Sequence, residues 1–211
     1  METPGPFDLP RFMFAHFPCV DFGGNLFGQW PVGIRFEIGL EQVSRATKLH
    51  EFIFSKADDC ILVSQDWSSD DGLAKRFTPL FSTPGIFPSA PSSQYQTVEV
   101  SPLDETPYRL NWTRLPLNSL NAAQMFQAIA NVDHGAIPSI AGRAYTIDDR
   151  AKLIMHMYDD RGLDVIAANA STLLPVYERF GDWILDNQRH RIDFRFKNFL
   201  TESRSPEGKT E

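Results

Sequence analysis

Between Met157 and Asn169 the chain reads MYDDRGLDVIAAN, an acidic turn sequence set between two apolar runs. Asp opening a turn and Gly closing it are what a tight reversal selects. Arg150 to Tyr158 and Leu163 to Ala167 are therefore expected to pair as a β-hairpin, with Gly162 in the left-handed position. The same stretch sets Asp159, Asp160, Arg161 and Asp164 among apolar residues, and Asp186 follows in the downstream WILD run. Charge beside core residues is costly unless it is paired, so this region is expected to hold a buried polar network or a recognition site.

Gly33 to Gly39, GIRFEIG, alternates Ile34, Phe36 and Ile38 with Arg35 and Glu37, the period-two pattern of a half-buried strand. Apolar residues then recur at helical spacing from Glu41 to about Ser55, and Asp59 to Trp67 has the run of a fully buried strand. Tyr95 to Val100 and Tyr108 to Leu115 suit an antiparallel pair. Asn118 or Ser119 can cap a helix with the stripe Leu120, Ala123, Phe126 and Ile129, ending near Gly135. Ser171 or Thr172 can cap another that stops at Gly181 and holds Pro175 in its first turn. Phe7 to Val20 is an aromatic segment broken by prolines, suited to a short helix or an arm laid on the core. The glycines at 23, 24 and 28 mark a loop.

Four prolines and many serines between 68 and 94 forbid a continuous helix or a central strand, while Phe77, Leu80, Phe81, Ile86 and Phe87 predict a long loop that packs. The expectation is a single α+β domain over residues 1–200, an antiparallel or mixed sheet with two or three helices on one face, and a disordered tail at 201–211. The triplet Asp148, Asp149, Arg150 echoes Asp159, Asp160, Arg161, too short a match to count as a repeat.

A net charge of -7 disfavours nucleic acid and anionic membrane surfaces as partners. The two cysteines, Cys19 and Cys60, form no CxxC, which fits free thiols in the cytoplasm. Neither a leader-like start nor an eighteen-residue apolar run is seen. The histidines at 16, 50, 134, 156 and 190 lack ligand spacing, so neither a metal nor a cofactor is expected, and His156 is notable for lying beside the acidic turn. No nucleophile elbow or phosphate loop is present.

The strand GIRFEIG, the YDDRG turn, the LDVIA strand and the helix leading into WILD together resemble a mainly bacterial family of uncharacterised proteins, domain of unknown function 3885. The likeness is most specific over Tyr158 to Ile192 and supports the α+β grouping, and it implies no particular activity. Where the family pattern continues as DYDR after WILD, this chain has Asn187 and Gln188 before Arg189.

The candidate binding residues are Asp159, Asp160, Arg161, Asp164, Arg35, Glu37, Trp183, Asp186 and Arg189. Each has a structural alternative. Asp159 to Gly162 is what a turn requires; Arg35 and Glu37 suit a solvated strand face; Trp183, like Trp30, Trp67 and Trp112, suits a core. Asp164 needs a partner, with Arg161, Arg35 and Arg189 available. The first functional expectation is a non-catalytic acidic module that binds a basic protein, in the manner of small immunity proteins. The alternative is an enzyme for small or nucleotide-like substrates, with Asp164, Asp160 and Glu37 as acid, base or metal carboxylates and Arg35, Arg161 or Arg189 holding an anion.

Overall fold

The computed structural model describes residues 7–23, 25–67, 78–88, 95–100 and 107–204. Among these residues seven strands form one sheet: β1 Gly33–Glu37, β2 Asp59–Trp67, β3 Tyr95–Val100, β4 Pro107–Pro116, β5 Arg143–Asp148, β6 Leu153–Met157 and β7 Gly162–Ala167. Their spatial order is β1-β7-β6-β5-β2-β4-β3, and every pairing is antiparallel. Among the described residues six α-helices accompany them: α1 Leu9–His16, α2 Leu26–Gln29, α3 Gln42–Ile53, α4 Ala122–His134, α5 Ala170–Phe180 and α6 Asp186–Arg204. This is the expected α+β architecture with more helices than foreseen.

The helices cover both faces of the sheet, not one. Ile34, Phe36, Leu62, Met155 and Val165 turn toward α3, α4, α5 and α6. Ile61, Val63, Tyr145, Ile154 and Ile166 turn the other way, toward α1 and the aromatic segment of Phe12, Phe17 and Phe22. The reason lies in the central strands: β6 and β7 are buried at every position, and a strand apolar on both pleat faces needs a layer on each side.

Sequence patterning located β1, α3, β2, β3 and β4 within a few residues. It missed β5, which lies between β2 and β6 and carries buried side chains from Ala144 to Ile147 without alternation. The predicted strand at Arg150 consequently begins later. Asp148 to Lys152 forms the β5–β6 turn, with Asp148 accepting from the amides of Arg150 and Ala151, and β6 starts at Leu153. Asn121, not Asn118 or Ser119, caps α4 by accepting from Gln124 N–H; the earlier pair lies in a 3-10 turn. Helix α5 starts at Ala170, so Pro175 sits beyond its first turn. Asn25 caps the four-residue α2 in place of the expected glycine loop. Helix α6 continues through Arg204, so residues 201–204 do not begin a tail; residues 205–211 lie outside the described residues, as do 68–77 and 89–94 of the proline-rich segment. Within its described part Leu80, Phe81 and Ile86 are buried, in keeping with a packed loop.

Two close contacts hold this framework, one at the interior strand β2 and one at the β1 edge. Gly142, at φ 121°, brings its backbone against β2 so closely that a Cβ would lie 1.8 Å from the Gln65 carbonyl oxygen. At the β1 edge, Ile184 bridges to Phe36 and the Leu185 N–H donates to the Arg35 carbonyl at 3.0 Å, so the WILD segment closes the free side of β1.

Candidate functional site

The β1–β7 register sets Arg35 opposite Asp164, both on the face covered by the N-terminal segment. Arg35 Nε donates to Asp164 Oδ1 at 2.7 Å and Nη2 to Oδ2 at 2.8 Å, a two-pronged contact that suits the planar guanidinium. The Phe27 N–H from α2 donates to Oδ2 at 3.2 Å, and Arg35 Nη2 also donates to Asn25 Oδ1. Asn25 Oδ1 accepts the Gly28 amide as well, so one side chain caps α2 and anchors the arginine. The guanidinium lies between two rings, 5.4 Å from the Phe27 centroid and 4.8 Å from that of Tyr158. The Asp164 side chain is 1% exposed and that of Arg35 17%, an enclosed pair.

Burial raises the Asp164 carboxyl above the usual carboxylate range, opposed by the hydrogen bond and charge of Arg35. For Arg35, burial disfavours the cation, but the Asp164 hydrogen bond and charge outweigh it and raise the guanidinium pKa. Burial also pushes the Tyr158 hydroxyl up to about 12, so it remains protonated at neutral pH. Gly162 is not left-handed, contrary to the turn expectation. It opens β7, and its missing side chain leaves room for Tyr158, whose hydroxyl oxygen would lie 1.7 Å from an added Cβ and whose ring carbons would also clash. Gly162→Ala is expected to displace the Tyr158 ring from Arg35 and cost about 1–3 kcal/mol, measured by urea denaturation.

His156, on β6, is paired with Asp164 of β7 but turns its chemistry inward. It is 2% exposed, stacks on Tyr145 at 4.1 Å, and places Nδ1 3.0 Å from the Ala144 carbonyl oxygen. Burial lowers its pKa to about 3, so it stays neutral and has no route to a substrate. Cys60 is likewise a core residue, its thiol raised by burial to about 12.

At the β6–β7 turn, Asp159 Oδ1 accepts the amides of Arg161 and Gly162, and Oδ2 accepts from Arg161 Nε and Nη2. The β5–β6 turn uses Asp148 in the same way, which gives the echoed DDR triplets a shared structural cause. Asp160 Oδ2 lies 3.2 Å from His134 Nε2, and the Asp160 amide donates to Asp133 at the end of α4. The Glu37 position pairs with Gly162, so its exposed side chain belongs to this same end of the sheet.

Trp183, Asp186 and Arg189 do not join Asp164. Trp183 packs on Phe180 and carries the Arg45 guanidinium 5.1 Å above its ring. Arg189 donates to the carbonyls of Gly181 and Ile184, tying the WILD turn to α6. Asp186 is 92% exposed, so it is not part of a buried network. Trp30 and Trp112 each donate to a backbone carbonyl inside the fold, of Ala167 and Phe7.

Sequence reasoning missed Asn25, Phe27 and Tyr158, which complete the Arg35 cage. It also missed Arg114, which bridges Asp59 and Asp149 at 2.7 and 2.6 Å, and a cluster in which Asp66 accepts from Ser64 and Asn111. None of these has a local spacing signal, because strand register brings the partners together. Among the described residues no group of three or more His, Cys, Asp or Glu could hold a metal ion, and no helix is long and apolar enough to cross a membrane.

A family model described as Domain of unknown function (DUF3885) matches residues 9–188, from α1 to the start of α6. The chain belongs to this family. A similar curated protein is the "Uncharacterized protein YnaE" of Bacillus subtilis (strain 168), 30% identical over 71 residues, which cover 31% of this chain and 33% of that protein. The chain thus matches only about a third of that relative's length. No solved structure matches. The DUF3885 match includes the Arg35–Asp164 pair and both Asp-headed turns, and stops at Gln188, within the first turn of α6.

Proposed function

We propose that this DUF3885 protein is a non-catalytic cytoplasmic binding module whose acidic end receives a basic protein partner. The observation that carries the reading is the grouping of Asp133, Asp159, Asp160 and Glu37 around the β6–β7 turn, four carboxylates near the guanidinium groups of Arg161 and of Arg45, which donates to the Glu37 carbonyl. Ile137, 84% exposed and three residues beyond His134, adds an apolar contact at that end. A surface with an excess of carboxylates suits a partner of opposite charge, with electrostatic attraction supplying much of the encounter rate. The net charge of -7 adds long-range attraction of the same sense. Enclosure of Asp164 by Arg35 and the Phe27 amide supports the non-catalytic half of the reading, since a proton donor or acceptor must reach its substrate.

The test is capture of the tagged full chain's partners from lysate of its own organism, identification by mass spectrometry, and affinity measurements with the purified partner across a salt series. The expected result is a basic protein whose affinity falls with salt and falls about tenfold or more with Asp133→Asn/Asp160→Asn. Asp159 is left intact because it holds the turn amides. An affinity indifferent to both salt and that double substitution contradicts the acidic-end reading.

A further inference from the structure

Helix α6 continues sixteen residues past the end of the family match, from Arg189 to Arg204, and this extension carries charge opposite to that of the chain as a whole. Its buried stripe is narrow. Ile192 and Phe196 are fully buried, with Tyr177 stacked on Phe196 at 4.6 Å. Beside that stripe a shallow groove of about 630 Å³ runs between α6 and the start of α5, lined by Arg191, Arg195, Asn198, Phe194, Phe199 and Ala170.

Two features of this groove lack a counterpart in the chain. Arg195 is half-buried and its Nη1 is shielded without a hydrogen-bond partner, and a shielded donor with no acceptor is costly. Arg191, one turn earlier, places a second cation beside it, held 4.9 Å over the Phe27 ring. Among the described residues no carboxylate forms an ion pair with either arginine; the nearby Asp193 serves Tyr177 and Lys197 instead. Burial, and then the charge of Arg191, lower the Arg195 pKa, the direction expected of a cation short of a counterion. On the facing side α5 begins at Ala170 without a side-chain cap, so its positive dipole end lies at the edge of the groove, with the Thr172 N–H donating to the Asn169 carbonyl. Phe194 is 64% exposed on the same surface.

We propose that this groove is a binding site for a small anion joined to an aromatic group, with the phosphate or carboxylate held by Arg191, Arg195 and the start of α5 and the ring laid against Phe194 and Phe199. Planar guanidinium groups match such oxyanions through paired hydrogen bonds, and the volume lies within the range of small-molecule sites. The inference is independent of the acidic-end reading, because the groove belongs to α5 and α6 and that reading to the β6–β7 turn.

The test is calorimetric titration of the full chain with phenyl phosphate, inorganic phosphate and benzyl alcohol. The expected result is saturable one-to-one binding of phenyl phosphate, tighter than either fragment, weakened about tenfold by Arg195→Gln and unchanged by Lys197→Gln on the same helix. In the unsubstituted protein, phenyl phosphate should also protect Arg191 and Arg195 from modification by phenylglyoxal, read by mass spectrometry, which keeps the test decisive if Arg195→Gln fails to fold. Absence of saturable binding, equal affinity for inorganic phosphate, or binding and modification indifferent to Arg195 and Arg191 overturns the proposal. Recruitment to phosphatidylglycerol vesicles without phenyl phosphate binding also overturns it and assigns the face to a lipid surface instead.

Discussion

Arg35→Ala is expected to lower the unfolding free energy by roughly 3–5 kcal/mol, because it leaves the Asp164 carboxylate buried with one backbone donor in place of a guanidinium. Most of that loss reflects the stranded charge and not the attraction of the pair. Arg35→Met/Asp164→Leu, which removes both charges at similar volume, should therefore recover most of the stability. Urea denaturation of the single and double variants at neutral pH measures this directly. A loss below about 1 kcal/mol in Arg35→Ala would mean that water reaches Asp164 and that the enclosure described above is wrong. The substitution also removes the group between the Phe27 and Tyr158 rings and one ligand of Asn25, so α2 should loosen with it.

The second large effect is a loss of stability in mild acid. Burial holds His50 at about 4 and His156 at about 3 in the folded protein, while both return to about 6.5 on unfolding. Between those values the unfolded chain takes up protons that the folded chain refuses. The stabilisation is therefore fully present above the unfolded value and lost as pH falls toward the folded ones. At about pH 5 each histidine accounts for roughly 2 kcal/mol relative to neutral pH, about 4 together. Asp164 acts in the opposite sense: its raised pKa makes the fold hold a proton that the unfolded chain has released, so acidification through that window partly offsets the histidine loss. His50→Phe should flatten part of the profile, since His50 stacks on Phe54 at 4.5 Å and its Nε2 has no partner to lose. Stability that stays level or rises between about pH 7.5 and about pH 5 would contradict the enclosure of both histidines.

The readable parts of the fold were those in which local pattern and tertiary environment agree. Strand β1 alternates because one of its pleat faces carries Ile34 and Phe36 into the core while Glu37 stays exposed, and β2 runs apolar because it is buried on both sides. Strand β5 is central too, yet its Ala144, Tyr145, Thr146 and Ile147 give neither alternation nor an apolar run, and helix α6 hides its two buried anchors among ten polar neighbours between Asn187 and Thr201. The candidate site was half legible. A carboxylate between Leu163 and Val165 demanded a partner, and Arg35 was one of three arginines available; only the β1–β7 register selects it. Asn25, Phe27 and Tyr158 could not be reached this way, since α2 reads locally as a glycine loop and Tyr158 as the end of a hairpin arm. The acidic turn was correctly seen as turn chemistry, but Asp133 joins it from α4, twenty-seven residues earlier than Asp160.

The separation of architecture from binding is tested most directly by the affinity of Arg35→Met/Asp164→Leu for the basic protein captured by the native chain. The variant lacks the buried pair and keeps the acidic end intact, so its affinity should stay within about twofold of the native value while Asp133→Asn/Asp160→Asn loses about tenfold. If the folded pair variant loses binding and the acidic-end variant keeps it, the Arg35–Asp164 pair is itself the functional site and the account is wrong.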